Sequence, residues 1–159
     1  MDLDEVRSVL EALDAAQCPW SMAGGWGVDA LVGRQTREHR DLDILVRAEH
    51  EARVLSTLAA RGYVVETDWR PVRVEVCARG LGWVDVHPVV FDETGRGRQE
   101  GFDDEYFEYL PEDFTTGLLD GLQVRCLTVD RQVQLHSGYV PRDVDLHDLA
   151  LLRALTPAG

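Results

Sequence analysis

Apolar side chains recur at helical spacing through residues 2–16, at Val6, Val9, Leu10, Leu13 and Ala16, and Pro19 ends the pattern. A short strand fits 20–23. Gly24-Gly25 then predicts a tight turn into a helix over 26–32, closed by Gly33. A polar loop over 34–40 leads to a strand over 41–46. A third helix fits 49–61, with Val54, Leu55 and Leu58 inward and Gly62 as its cap. Strand runs follow at 63–69, 72–79 and 83–91. The Gly- and charge-rich stretch 92–104 reads as an exposed loop. Residues 114–119 and 122–127 flank Asp120-Gly121, a strong hairpin signal. Thr128 caps a helix running to about 137, and a last helix fits 144–155. This order predicts an α/β (α+β) fold: a mixed β-sheet flanked by helices over 1–127, with a short helical part over 128–159 in the same compact unit.

Alternation along the strands selects the candidate chemistry. In Asp41-Leu42-Asp43-Ile44-Leu45-Val46 the two acids share one face, while Leu42, Ile44 and Val46 take the other. Carboxylates about 7 Å apart on one face repel unless a cation meets them, and Mg²⁺ favours such oxygen donors. The plain alternative is a solvated edge strand. In the strand 83–91, Val84 and Val86 alternate with Asp85 and His87; in the strand before it, Val72, Val74 and Val76 alternate with Arg73, Glu75 and Cys77. If both valine sets face one core, Glu75, Asp85 and His87 share the opposite face. Asp85 then supplies a third acid, as metal ligand or general base, with Glu75 as the competing base. For His87 the expectation is a structural hydrogen bond before Pro88, with a substrate contact as the alternative; Glu75, on the same face, is likewise a candidate substrate contact.

The glycine pair Gly24-Gly25 lets backbone N–H groups approach a phosphate closely. Of the nearby arginines Arg34, Arg37 and Arg40, the two nearest the acids, Arg37 and Arg40, are the expected phosphate ligands. Glu66, Asp68, Asp143, Asp145 and Asp148 read mostly as solvated acids, one or two of which could meet an amine. Trp26, Trp69, Tyr63 and Tyr139 read as core or rim, with Tyr139 the candidate substrate contact.

Composition narrows the classes. Among 159 residues, 29 acids stand against 16 bases, a net charge of −13. Such an excess repels phosphate backbones, which argues against a nucleic-acid partner, and suits a cationic small molecule. Every base is Arg; without Lys, P-loop NTPases, protein kinases and Schiff-base enzymes are excluded in their usual form. Cys18, Cys77 and Cys126 are scattered and form no CxxC, so neither a disulfide framework nor a zinc site is indicated. The acidic start and the lack of an apolar run near ~18 residues predict a cytoplasmic chain with no membrane partner. His39-Arg40-Asp41-Leu42 imitates a kinase catalytic loop, but Val46 stands where that loop needs Asn. The GxGxxA match at 25–30 lacks the repeated βαβ units of a dinucleotide fold.

Ala23-Gly24-Gly25, a 15-residue spacer, Asp41-Leu42-Asp43 and a later Asp85 together resemble the polymerase-beta-like nucleotidyltransferase superfamily. The longer strings at 24–44, 68–76, 84–89, 134–139 and 147–152 resemble the small lincosamide nucleotidyltransferases across nearly the whole chain. The resemblance implies a nucleotidyltransferase fold. It implies transfer of a nucleoside monophosphate from a nucleoside triphosphate, with two Mg²⁺ ions, to a hydroxyl of a small cationic antibiotic. By that resemblance Gly24 and Gly25 hold the triphosphate, Asp41 and Asp43 the metals, and Asp85 is the third carboxylate. A homodimer is in keeping with the family. The alternatives are an aminoglycoside nucleotidyltransferase, an AMP-transferring antitoxin acting on a protein, and a nucleotide-binding domain without activity.

Overall fold

The computed structural model describes residues 1–137 and 139–156. The predicted alternation becomes one mixed sheet. Its main path runs β3 (Val64–Trp69), β4 (Arg73–Ala78), β5 (Gly82–Phe91), β2 (Asp41–Arg47), β1 (Trp20–Met22), β9 (Leu122–Leu127), β8 (Phe114–Leu119). Two short strands, β6 (Gly97–Glu100) and β7 (Tyr106–Tyr109), branch from the end of β5. The pairs β2–β5 and β1–β9 are parallel, and the others are antiparallel.

Hydrophobic burial sets the register. Leu42, Ile44, Val74, Val84 and Val86 are fully buried on one face, against Val6, Val9 and Leu13 of α1 (Leu3–Ala15) and Val54 and Leu58 of α3 (Glu51–Ala60). Slipping β2 by one residue would expose Leu42, Ile44 and Val46 and bury two acids. At ~1.5–3 kcal/mol per side chain, that loss approaches the stability of a whole domain. The opposite face of β2 and β5 is thereby committed to Asp41, Asp43, Asp85 and His87. Trp26 and Ala30 of α2 (Gly24–Val32) join the apolar cluster on the Leu42–Ile44 face, and α4 (Val129–Leu135) and α5 (Asp143–Leu155) pack against α2 and each other.

Most elements lie where the pattern placed them. Asp120 and Gly121 both adopt positive φ, +46° and +82°, as a two-residue hairpin turn between strands with right-handed twist requires. Thr128 caps α4 by accepting from the Arg131 N–H. Two expectations fail. The second helix begins at Gly24, two residues early, because Gly24 takes φ +56° and turns the chain straight from β1 into the helix. The stretch 92–104 is not all loop. It contains β6, whose buried Gly97 lies tight against Val89 and Phe91 while Arg98 and Glu100 pair at 3.2 Å. Gly138, and residues 157–159 of the helical tail, lie outside the described residues. No helix among the described residues is long and apolar enough to cross a membrane.

Candidate active site

A cleft of about 320 Å³ opens over the polar face of β2 and β5, between the start of α2 and the helical tail. Asp41 and Asp43 line it from β2, His87 from β5, and Gly24 and Gly25 from the first turn of α2. The parallel register puts Asp43 directly beside Asp85, and the antiparallel register of β4 puts Glu75 on the other side of Asp85. Ligand atoms of Asp43, Asp85 and His87 lie within 4.8 Å of one another. Asp41 stands one pleat away, outside that cluster, with a carboxylate oxygen 3.3 Å from Arg40.

Each acid has a distinct environment. Asp85 is 3% exposed; one oxygen meets Arg73, and the other, Oδ1, is buried with no hydrogen-bond partner among the described residues. Burial pushes the Asp85 carboxyl above its usual range and Asp43 adds to this, against the pull of His87 and Arg73. Burial and the neighbouring Asp43 likewise raise Asp41. Burial works in the same sense on Asp43, but the His87 hydrogen bond and the His87, Arg73 and Arg40 charges outweigh it and hold that carboxyl low. One ionised acid beside two whose protons are held more tightly is an arrangement that a divalent cation relieves.

The loop 34–40 is pinned beneath α2. Asp29 of α2 is fully buried and takes both a 2.5 Å contact from the His39 ring and a 2.5 Å hydrogen bond from Thr36. The His39 ring in turn lies 4.4 Å from the Trp26 ring, centroid to centroid. This brings Arg37, but not Arg40, to the cleft wall. Arg40 is instead bound to Glu75 and lies over the Trp83 ring. Gly25 has no room for a side chain: a Cβ there would sit 2.5 Å from His39 Nδ1 and 2.7 Å from its Cε1. Gly25→Ala should therefore lower stability by roughly 1–3 kcal/mol as well as nucleotide affinity. Denaturant unfolding and calorimetric titration on one preparation check both; unchanged unfolding would remove the His39 contact from the account.

The helical tail contributes what alternation did not reveal. Asp145 and Asp148 are 3% and 1% exposed, not solvated. Arg37 grips Asp148 with two bonds, 2.9 and 2.6 Å, and Arg142 grips Asp145 at 2.9 and 3.0 Å. His136 gives Nδ1 to the Gln132 carbonyl at 2.7 Å and turns Nε2 toward Asp148, 3.9 Å away. Tyr139 stands at the rim, 48% exposed, and Phe107 of β7 lines another wall. Gln99 and Tyr109, from the missed hairpin β6–β7, also line the cleft.

The Asp148 network has a defined pH signature. Despite burial, Arg37 and His136 hold the Asp148 carboxyl down to about 2, against an ordinary 3.8. A depressed carboxylate stabilises the fold above its unfolded pKa and loses that contribution as pH falls through the folded one. The nearby Asp148 carboxylate, opposed by burial, raises His136; its share is complete below 6.5 and fades as pH rises through its raised folded value. Asp148→Asn should cost about 2 kcal/mol near pH 6. Unfolding curves of both proteins should converge toward pH 2. A gap that persists there would mean that charge pairing is not its source.

The family model of the aminoglycoside-2''-adenylyltransferases matches residues 5–152. A lincosamide resistance protein of Staphylococcus haemolyticus is 30% identical over 152 residues, 96% of this chain and 94% of that protein. The crystal structure of the lincosamide antibiotic adenylyltransferase LnuA, lincomycin-bound, superposes with a TM-score of 0.90 at 29% identity, covering 98% of this chain and 99% of that one. The structure of ANT(2'')-Ia in complex with adenylyl-2''-tobramycin shares the fold, with a TM-score of 0.74 at 20% identity over 94% of this chain and 86% of that one. With a mixed sheet, a carboxylate cleft and a match over nearly its full length, the chain belongs to the aminoglycoside-2''-adenylyltransferase family and is a nucleotidyltransferase.

Proposed function

We propose that this enzyme transfers a nucleoside monophosphate from a magnesium-bound nucleoside triphosphate to a hydroxyl of a small cationic antibiotic, a lincosamide first. The observation that carries this reading is the pairing of Asp43, which lines the cleft beside Gly24, with Asp85, buried directly behind it. Oxygen donors suit Mg²⁺: Asp41 and Asp43 present them to the cleft, and ligand atoms of Asp43, Asp85 and His87 lie within 4.8 Å of one another. Asp41 and Asp43 would hold the metals, with Asp85 beside them. When bound, Mg²⁺ neutralises phosphate charge and lowers the pKa of the acceptor hydroxyl.

The chain's own share is positioning and proton transfer. The start of α2 offers N–H groups without intrahelical partners, and Gly24 lets phosphate oxygens come close. Arg37 is the arginine that reaches this wall, and Arg40 is given no phosphate role. Asp85, directly behind Asp43, is the proposed acceptor of the hydroxyl's proton as that oxygen attacks the α-phosphorus in line with the departing pyrophosphate. Glu75 is occupied by Arg40, so it is the weaker candidate base.

Aminoglycosides are the second reading, favoured by a 44-residue stretch 39% identical to a 2''-aminoglycoside nucleotidyltransferase of Escherichia coli. The wall acids weigh the other way. Asp145 and Asp148 each carry an arginine partner, which leaves little free carboxylate for a drug with several amines. Tyr139 and Phe107 offer apolar surface to a drug with one amine. The test is Mg²⁺-dependent pyrophosphate release from ATP with lincomycin and tobramycin compared. Release with lincomycin supports the reading; release with tobramycin alone moves the acceptor; release with neither overturns it.

A further inference from the structure

A chain of buried polar groups runs from the β6–β7 hairpin to the foot of the cleft. Tyr109, 2% exposed, donates its hydroxyl hydrogen to Gln99 Oε1 at 2.8 Å. Gln99, 6% exposed, places Nε2 3.2 Å from His87 Nδ1. His87 places Nε2 3.2 Å from Asp43 Oδ1. The donors in this chain have one consistent direction. An amide nitrogen only donates, so in the neutral ring His87 Nδ1 accepts and the single proton is on Nε2, where it is donated to the carboxylate. Turning the Gln99 amide over would set its N–H₂ against the Tyr109 hydroxyl. Among the described residues Gln99 Oε1 is the acceptor of that hydroxyl, so its buried proton would be orphaned. The Arg131 guanidinium, a donor only, lies over the Tyr109 ring with Cζ 4.7 Å from its centroid, and offers the phenol no acceptor in exchange.

We infer that Gln99, held by Tyr109, is a positioning residue that commits His87 to protonation at Nε2, making His87 a hydrogen-bond donor to Asp43 and not a metal ligand. A metal-binding imidazole nitrogen must be unprotonated, which would put the proton on Nδ1, where Gln99 presents a donor. The relay occupies Oδ1 of Asp43. The other oxygen, Oδ2, lies so close to Gly24 that a Cβ there would collide with it. One carboxylate oxygen is thus spoken for by the protein, and its partner is aimed along the Gly24 side of the cleft. Outer partners of this kind fix the orientation of a ligand, and losing one typically lowers metal affinity by ~10- to 100-fold. The inference rests on the reading of Asp43 as a metal-binding carboxylate, and its test separates the two.

The first measurement uses metal-free enzyme labelled with ¹⁵N in its histidine rings, at a pH alkaline enough for a neutral His87. The wild-type ring should show a protonated Nε2 and a bare Nδ1. Gln99→Glu, nearly the same size, puts an acceptor opposite Nδ1 and should bring a proton there. Tyr109→Phe should release the amide and give a mixture of the two ring forms. A merely structural role for Gln99 would leave the ring form unmoved in all three. The second measurement uses Mn²⁺ with a non-hydrolysable triphosphate. Pulsed EPR of the wild type should show no directly bound imidazole nitrogen, and Gln99→Glu should weaken Mn²⁺ by ~10- to 100-fold. A wild-type ring protonated at Nδ1, or an imidazole nitrogen on Mn²⁺, overturns the inference alone. A ring protonated at Nε2 in a wild type that binds no Mn²⁺ overturns the metal reading, and with it the role given to Gln99.

Discussion

Asp43→Asn should leave a folded protein whose turnover is at least ~10³-fold below wild type, the scale expected when charge stabilisation is lost at a phosphoryl centre. The fold should survive because Asp43 faces the cleft while its neighbours Leu42 and Ile44, both fully buried, hold β2 in place. The backbone bond that Asp43 gives to β1, its carbonyl accepting from the Ala23 N–H at 3.0 Å, is untouched. What changes is the charge. Asp43 is the acid of the three that its surroundings hold below the usual carboxylate range, so it is the one most fully committed to the ionised form. Amide replacement removes that anion at nearly constant volume. Steady-state turnover with unfolding curves as control decides the matter: an Asp43→Asn enzyme of near wild-type activity would sink the assignment of metal binding to this strand.

The part of the site that alternation alone reveals is the part built on strands. Leu42, Ile44 and Val46 on one side of β2 require Asp41 and Asp43 on the other, and the valines of β4 and β5 require Glu75 and Asp85 to share a face; the structure pairs them directly. Neither pattern says that β2 and β5 are neighbours. That parallel pairing joins residues 42 positions apart and emerges only when the sheet assembles, yet it is what sets Asp43 beside Asp85. The acids of α5 misled for a related reason. Asp145 and Asp148 lie on the same helical stripe as Leu149 and Leu152, but their charge reads as solvated, and the partner that lets Asp148 be buried is Arg37, 111 residues earlier. In the β6–β7 hairpin, glycine and paired surface charges hid a real strand; the alternation Arg98, Gln99, Glu100 with Gln99 inward was there, but four residues are too few to outweigh the composition around them. His87 shows the limit from the other side. A structural hydrogen bond was the expectation, and the bond exists, but its partner is Asp43 at the foot of the cleft.

Asp85→Asn should also abolish most of the turnover, but with a different signature. A general base contributes typically ~10²- to 10⁴-fold, so the loss should lie in that range and fall on kcat. Affinity for the magnesium–nucleotide complex should stay within a few fold, because Asp85 is buried behind the cleft wall that Asp41, Asp43 and Gly24 form. The pH–rate profile carries the sharper distinction. Burial, with Asp43 adding to it, raises the Asp85 carboxyl, while His87 and Arg73 draw it down; the net direction is upward from 3.8. Below that folded pKa the carboxyl is protonated and accepts nothing, so the wild-type rate falls as the pH is lowered through it. Asp85→Asn should remove this acidic limb and leave a residual rate that is flat across it. Glu75 shares the same sheet face but is tied to Arg40, 56% of whose side chain is exposed, and that pair stands beside the cleft rather than in it. Glu75→Gln should therefore keep the limb and lose less than ~10-fold, because Glu75 does not line the cleft and its partner Arg40 is exposed to solvent. The two variants, assayed under identical conditions with unfolding controls, make the comparison decisive. A dead Glu75→Gln enzyme beside an active Asp85→Asn enzyme would transfer the base to Glu75, and would mean that the Arg40 pair opens when substrate binds.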